Sequence, residues 1–210
     1  MVARGALLTL LAFCLGLPGT SSVADETPVV VFLGDSLTAG YGLGEEMAFP
    51  AHVGELLGSS GRPVRVVNAG VSGDTTAGGL ARLDWLLRLE PAVVVIGLGG
   101  NDGLRGLDLT MTASNLRQIV ERARTSGAAV LLLGMRMPPN YGSYAVDFEA
   151  IYPRLADELG VALVPFLLEG VGGDPELNLP DGIHPNAVGQ RLVAENVVQA
   201  VRDLLDQLSS

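Results

Sequence analysis

Proton-moving side chains are scarce in this chain, which holds two histidines, His52 and His184, one cysteine, Cys14, and no lysine at all. A serine hydroxyl is a poor nucleophile near neutral pH and needs an adjacent base. The serine to weigh is Ser36, in "GDSLTAGYG" (34–42), set down directly after the apolar run "VVVFL". His52 lies in "FPAHVGELLGSS" among apolar neighbours and reads as an ordinary helix residue. His184 lies in "DGIHP" (181–185), three residues after Asp181. A residue before proline is pushed to extended conformations, and Pro185 suits the first turn of a following helix. His184 is thereby kept in a loop, and Gly182 permits the bend that returns Asp181 to the imidazole, where a carboxylate fixes the tautomer and stabilises the imidazolium. Ser36, His184 and Asp181 are the candidates for nucleophile, base and orienting acid of an acyl transfer.

That chemistry also needs hydrogen-bond donors aimed at a tetrahedral oxyanion, each typically worth about 3 kcal/mol. Three candidates stand at apolar-run ends: the Ser36 N–H opening a helix, the Gly73 N–H in "SGDTT", and the side-chain NH₂ of Asn101 in "GLGGNDG". Glycine lets backbone approach a ligand closely. Each also has a plainer reading, Gly73 as a turn glycine and Asn101 as a loop asparagine in left-handed conformation. Three aspartates beside them read as structural: Asp35 anchoring its loop, Asp74 capping a helix that starts near Thr75, and Asp102 in a turn. Met135, Met137, Pro138, Pro139 and Tyr141 either line an acyl groove or cover the core.

Five short runs must carry these residues: "VVVFLG" (29–34), "VRVVNAG" (64–70), "AVVVIGLG" (92–99), "AAVLLLGM" (128–135) and "VALVPF" (161–166). They lack clean apolar-polar alternation, as strands buried on both faces of a parallel sheet do. Between them apolar residues recur at helical spacing, as in Leu80, Leu83, Leu86 and Leu87. The last stretch, 187–208, places Val188, Leu192, Val193, Val197, Val201, Leu204, Leu205 and Leu208 on one stripe that should cover a sheet face. The pattern predicts one α/β domain of three layers, with helices on both sides of a five-stranded parallel sheet. Ligands in such folds bind beyond the carboxyl ends of the strands, where strand order reverses.

The N-terminus, "MVARGALLTLLAFCLGLPGTSSVADE", reads as a basic start at Arg4, an apolar stretch from Ala6 to Leu17 and small residues ending at Ala24. That layout is a secretory signal peptide, residues 1–24, followed by a mature domain, residues 25–210. The apolar stretch falls short of the ~20 residues of a spanning helix. Cleavage removes Cys14, which leaves no thiol for disulfides or thiolate zinc sites. It also removes only Arg4 from the 13 basic residues and nothing from the 23 acidic ones, for a mature net charge of about −11. Such a surface repels nucleic acid and anionic lipid. The expected product is a periplasmic or secreted monomer with no stable membrane insertion.

Taken in order, "GDSL" with Ser36, "SGDT" with Gly73, "GGND" with Asn101 and "DGIHP" with Asp181 and His184 resemble the four blocks of the SGNH (GDSL) hydrolase family. Further stretches, "LTAGYGL", "GLARLDWLL", "GGNDGLRGL", "MRMPPNYG" and "IYPRLA", are similar to its periplasmic branch of acyl-CoA thioesterase, lysophospholipase and arylesterase enzymes. The resemblance implies a flavodoxin-like strand order, a Ser36–His184–Asp181 triad, an oxyanion hole from Ser36, Gly73 and Asn101, and no metal or organic cofactor. It implies acyl esters, thioesters or lysophospholipids as substrates, with a carbohydrate O-deacetylase as the alternative inside the family. It also makes "GLRGLDL" (103–109) a mobile substrate loop. Three other classes fit less well. The G-x-S-x-G elbow is absent, since Thr38 stands where its second glycine belongs. A nucleotide-binding reading of "GLGGND" fails on the glycine displaced to Gly103. A catalytically silent carbohydrate-binding module leaves the four blocks without a purpose.

Overall fold

The structure, a computed structural model, describes residue 1 and residues 27–209. The signal segment and Cys14 lie outside the described residues. Five strands alternate with helices: β1 (Val29–Gly34), α1 (Ser36–Ala39), α2 (Phe49–Ser59), β2 (Arg65–Gly70), α3 (Thr76–Leu87), β3 (Val93–Gly97), α4 (Gly100–Leu104), α5 (Leu109–Thr125), β4 (Ala129–Leu133), α6 (Ser143–Glu149), α7 (Ile151–Leu159), β5 (Ala162–Val164) and α8 (Ala187–Leu208). All neighbouring strands pair in parallel, in the order β2-β1-β3-β4-β5. That is the flavodoxin-like order, with its switch point between β1 and β3. Gly34 and Gly97, the last residues of those two strands, sit opposite each other in the register and open the crevice.

The core forms where the apolar runs predicted it. Val30, Val31, Phe32 and Leu33 of β1, Val93 to Ile96 of β3 and Leu131 to Leu133 of β4 are all buried. Helix α8 packs with α2 and against β3, β4 and β5, while α5 packs between α3 and α7, with α3 against β1 and α5 and α7 against β4. Phe32 meets Phe49 edge-on at 5.6 Å, joining the sheet to α2. Strand β2 differs from the expectation of full burial: it is only half-buried, because it is an edge strand.

The stripe on α8 also differs at its ends. Val193, Val197, Val201, Leu204 and Leu205 are buried, but Val188 and Leu208 are exposed. The reason is length: 22 helical residues span about 33 Å, whereas a six-residue strand spans about 20 Å. Both ends of the helix overhang the sheet. Among the described residues, no helix is long and apolar enough to cross a membrane.

Candidate active site

At the carboxyl end of β1 the chain passes through Asp35 and turns at once into α1, whose first residue is Ser36. The Asp35 side chain caps that helix, its Oδ1 accepting from the Leu37 N–H at 3.0 Å. Buried Gln190 of α8 holds the other side, accepting from the Phe49 N–H at 2.8 Å and donating to the Leu37 carbonyl at 3.4 Å. The serine is fixed by its backbone, and its N–H, at the first helical position, has no intrahelical acceptor.

His184 reaches the serine from the segment before α8. Its Nε2 lies 2.8 Å from Ser36 Oγ and its Nδ1 2.8 Å from Asp181 Oδ2. The Leu179 N–H donates to the His184 carbonyl at 2.7 Å, and Asn186 caps α8 through the Val188 and Gly189 N–H groups. Gly182 has a φ of 69°, the left-handed value that returns Asp181 to the ring. Asp181 Oδ1 accepts from the N–H groups of Ile183 and His184 at 2.9 and 3.0 Å. Those bonds, the His184 N–H first, the Ile183 N–H next and then the His184 ring, lower the Asp181 pKa to about 2. The acid therefore stays a carboxylate, which accepts from an Nδ1–H and leaves the Nε2 lone pair facing the serine. Tyr41 covers the imidazole, ring centroids 4.4 Å apart.

Ser36, Gly73, Asn101 and His184 line one cavity of about 290 Å³ together with Tyr41, Ser72, Leu104 and Ile183. Gly73 has a φ of 81°, a left-handed conformation that explains its residue type more directly than closeness to a ligand does. Its carbonyl accepts from Arg105 Nη2 at 2.9 Å. The Asn101 Nδ2 donates to Asp35 Oδ2 at 3.2 Å, which uses one of its two hydrogens. Burial pushes the Asp35 pKa up to about 6, against the opposing bonds from Leu37 and Asn101. Of the predicted site residues Ser36, Gly73, Asn101 and His184 line this cavity and Asp181 stands behind the His184 ring, whereas His52 is elsewhere, paired with Glu55 at 3.0 Å.

Two neighbouring aspartates do something other than expected. Asp102 is no turn residue: it is buried on α4, accepting from the Thr76 N–H at 2.9 Å, Thr76 Oγ1 at 2.6 Å and Thr112 Oγ1 at 3.4 Å. It ties the helix carrying Asn101 to α3, just after Gly73, and to α5. Asp74 does not cap α3. Thr75 does, accepting from the Gly78 N–H, and Asp74 instead pairs with Arg82 at 2.8 Å, whose Nη2 donates to the Gly34 carbonyl.

A second cavity, about 380 Å³, adjoins the first through Leu37, Gly100, Leu104 and Ile183. Met135, Met137, Pro138 and Pro139 line it with Phe166 and Leu168. Tyr141 is not among its lining residues; its hydroxyl donates to the Leu104 carbonyl at 3.1 Å, and that of Tyr144 to the Leu107 carbonyl at 2.8 Å. Tyr41, Ile183 and Gln190 are the site's residues that sequence reasoning did not single out, whereas Leu104, which lines both cavities, lies in the 103–109 stretch read as a substrate loop. Of these only Tyr41, between glycines directly after the serine block, carries a local signal. Among the described residues no cluster of histidine, cysteine and acidic groups could hold a metal ion.

A parallel sheet in the order 2-1-3-4-5, with a serine opening the helix after its first strand and a histidine supplied just before its last helix, defines a class of serine hydrolases with a flavodoxin-like sheet. Residues 32–192 match the GDSL-like Lipase/Acylhydrolase family, and the chain belongs to it. It is 47% identical to esterase TesA of Pseudomonas aeruginosa over 199 residues, covering 93% of this chain and 98% of that one. It is 42% identical to thioesterase 1/protease 1/lysophospholipase L1 of Escherichia coli K12 over 185 residues, 87% of this chain and 88% of that one. A crystal structure of TesA superposes with a TM-score of 0.81 at 47% identity, over 84% of this chain and 99% of its own.

Proposed function

We propose that the protein is an exported serine ester hydrolase that cleaves acyl esters and thioesters through an acyl-enzyme on Ser36. One observation carries the reading: the continuous relay from Ser36 Oγ through His184 to Asp181, 2.8 Å at each step. His184 takes the serine proton as Oγ attacks the acyl carbonyl, and Asp181 holds the imidazolium that forms. The carbonyl oxygen becomes an oxyanion facing the Ser36 N–H, the Gly73 N–H and the second hydrogen of Asn101 Nδ2. His184 then gives its proton to the leaving alcohol or thiol, and water, deprotonated by the same ring, releases the acid. Every proton has a donor and an acceptor among these residues.

The cavity lined by methionine, proline, phenylalanine and leucine supports a medium or long acyl chain over an acetyl group, since burying each methylene is worth about 0.8 kcal/mol. The signal-like N-terminus and a mature charge of about −11 favour esters and lysophospholipids met outside the cytosol over polyanionic acyl-CoA. The test is turnover of p-nitrophenyl acetate against the octanoate by purified mature protein. We expect kcat/KM at least about tenfold higher for the octanoate, as several buried methylenes imply. A strong acetyl preference contradicts this acyl assignment and returns the O-deacetylase alternative.

A further inference from the structure

Asp35 caps α1, but capping does not require a charge. Asparagine and serine cap helices about as well as aspartate does, and neither has to be ionised in a buried site. Asp35 is 2% exposed, and burial raises its pKa, so the ionised side chain costs stability that a neutral cap would save. Something other than the cap must need the carboxylate. Oδ1 serves the Leu37 N–H, while Oδ2 faces Asn101 Nδ2 at 3.2 Å and Gly100 of the same turn.

We infer that Asp35 is a positioning residue for the oxyanion hole, which through Oδ2 fixes the amide of Asn101 with its NH₂, and not its carbonyl, toward the reacting oxygen. This rests on the reading of Ser36 and Asn101 proposed above. A side-chain amide has two faces of nearly equal shape and opposite polarity, and only its hydrogen-bond partners decide which way it points. A carboxylate can only accept, so it selects the NH₂. The planar amide then directs its second hydrogen away from Asp35, toward the cavity that Asn101 shares with Ser36 and Gly73. With a donor in place of Oδ2, Asn101 is better satisfied flipped. Its carbonyl oxygen would then face a developing oxyanion, exchanging an attraction for a repulsion.

The charged and titratable groups around Asp35 offer one competing explanation. The Asp35 charge interacts with His184, and to a lesser degree with the Tyr152 hydroxyl, which is buried and donates to the Leu98 carbonyl at 3.0 Å. An effect on the imidazolium would need no contribution from Asn101. A double-mutant cycle separates the two routes.

Asp35→Asn keeps an acceptor for the Leu37 N–H and presents a donor to Asn101. With p-nitrophenyl octanoate, Asp35→Asn should lower kcat about 100-fold or more, the loss of one oxyanion donor, with KM changed less than about threefold and the melting temperature not lowered. In an Asn101→Ala background the same substitution should lower kcat by less than about threefold. Wild-type kcat in Asp35→Asn, or a loss of equal size in the Asn101→Ala background, overturns the inference. If Asp35→Asn does not fold, Asp35→Ser caps α1 and carries the same expectations. Ser36→Ala separates the inference from the reading beneath it. Full turnover in Ser36→Ala removes the serine mechanism itself, whereas an inactive Ser36→Ala beside an unaffected Asp35→Asn removes only the role of Asp35.

Discussion

His184 owes its position to backbone as much as to its ring. The bond from Leu179 to its carbonyl, the left-handed Gly182 and the cap at Asn186 hold it against Ser36 before any substrate arrives. Asp181→Asn should therefore leave the fold intact and lower kcat by about 10²- to 10⁴-fold, because an amide no longer selects the reactive tautomer. Circular dichroism and ester turnover check this, and full activity would remove Asp181 from the mechanism. The two aspartates respond oppositely to pH. Asp181 has a depressed folded pKa, so its stabilising contribution is complete above 3.8 and is lost as pH falls through about 2. Asp35 has a raised one: between 3.8 and about 6 the folded state keeps a proton that the unfolded state has released, so stability falls as pH rises across that window. Thermal melts of Asp35→Asn should thus gain on wild type between pH 4 and pH 7, and a constant difference would contradict the buried-carboxylate account. At this scale much was legible in the sequence. With one histidine in a loop, Ser36 and Asp181 followed from base chemistry and local turn geometry, whereas Asp74 and Asp102 were misread. Their partners, Arg82 and the pair Thr76 and Thr112, become visible only once helices are packed.

The elements that position the site are tied to each other by few polar links, and Asp102 is the most connected of them. It joins α4, which carries Asn101, to α3 and α5. Asp102→Ala leaves the Thr76 N–H buried without its acceptor, and should cost about 3 kcal/mol, or about 6 to 12 °C in melting temperature for a domain of this size. Differential scanning calorimetry measures it, and a change under 2 °C would mean that the link carries no weight. The strands were legible as apolar runs because central parallel strands are buried on both faces. The half-buried β2 and the overhanging ends of α8 were not, since edge position and relative length are properties of the assembled sheet.

For the whole molecule, strand order is what converts scattered blocks into one site. The reversal between β1 and β3 sets Ser36 and Asn101 at adjacent strand ends, and the turn that leaves β2 brings Gly73 beside them. Periodicity alone gave an α/β sandwich without its order, and the order came from the resemblance of the four blocks. The adjoining apolar cavity was half visible, as a methionine and proline cluster whose side could not be assigned from one dimension. The most direct test of the account is covalent labelling of the folded protein by a serine-directed fluorophosphonate, read by intact mass and peptide mapping. The account predicts one adduct, on Ser36, formed in wild type, absent in Ser36→Ala and strongly slowed in His184→Ala. No adduct on folded wild-type protein, or undiminished labelling of Ser36→Ala, would contradict it.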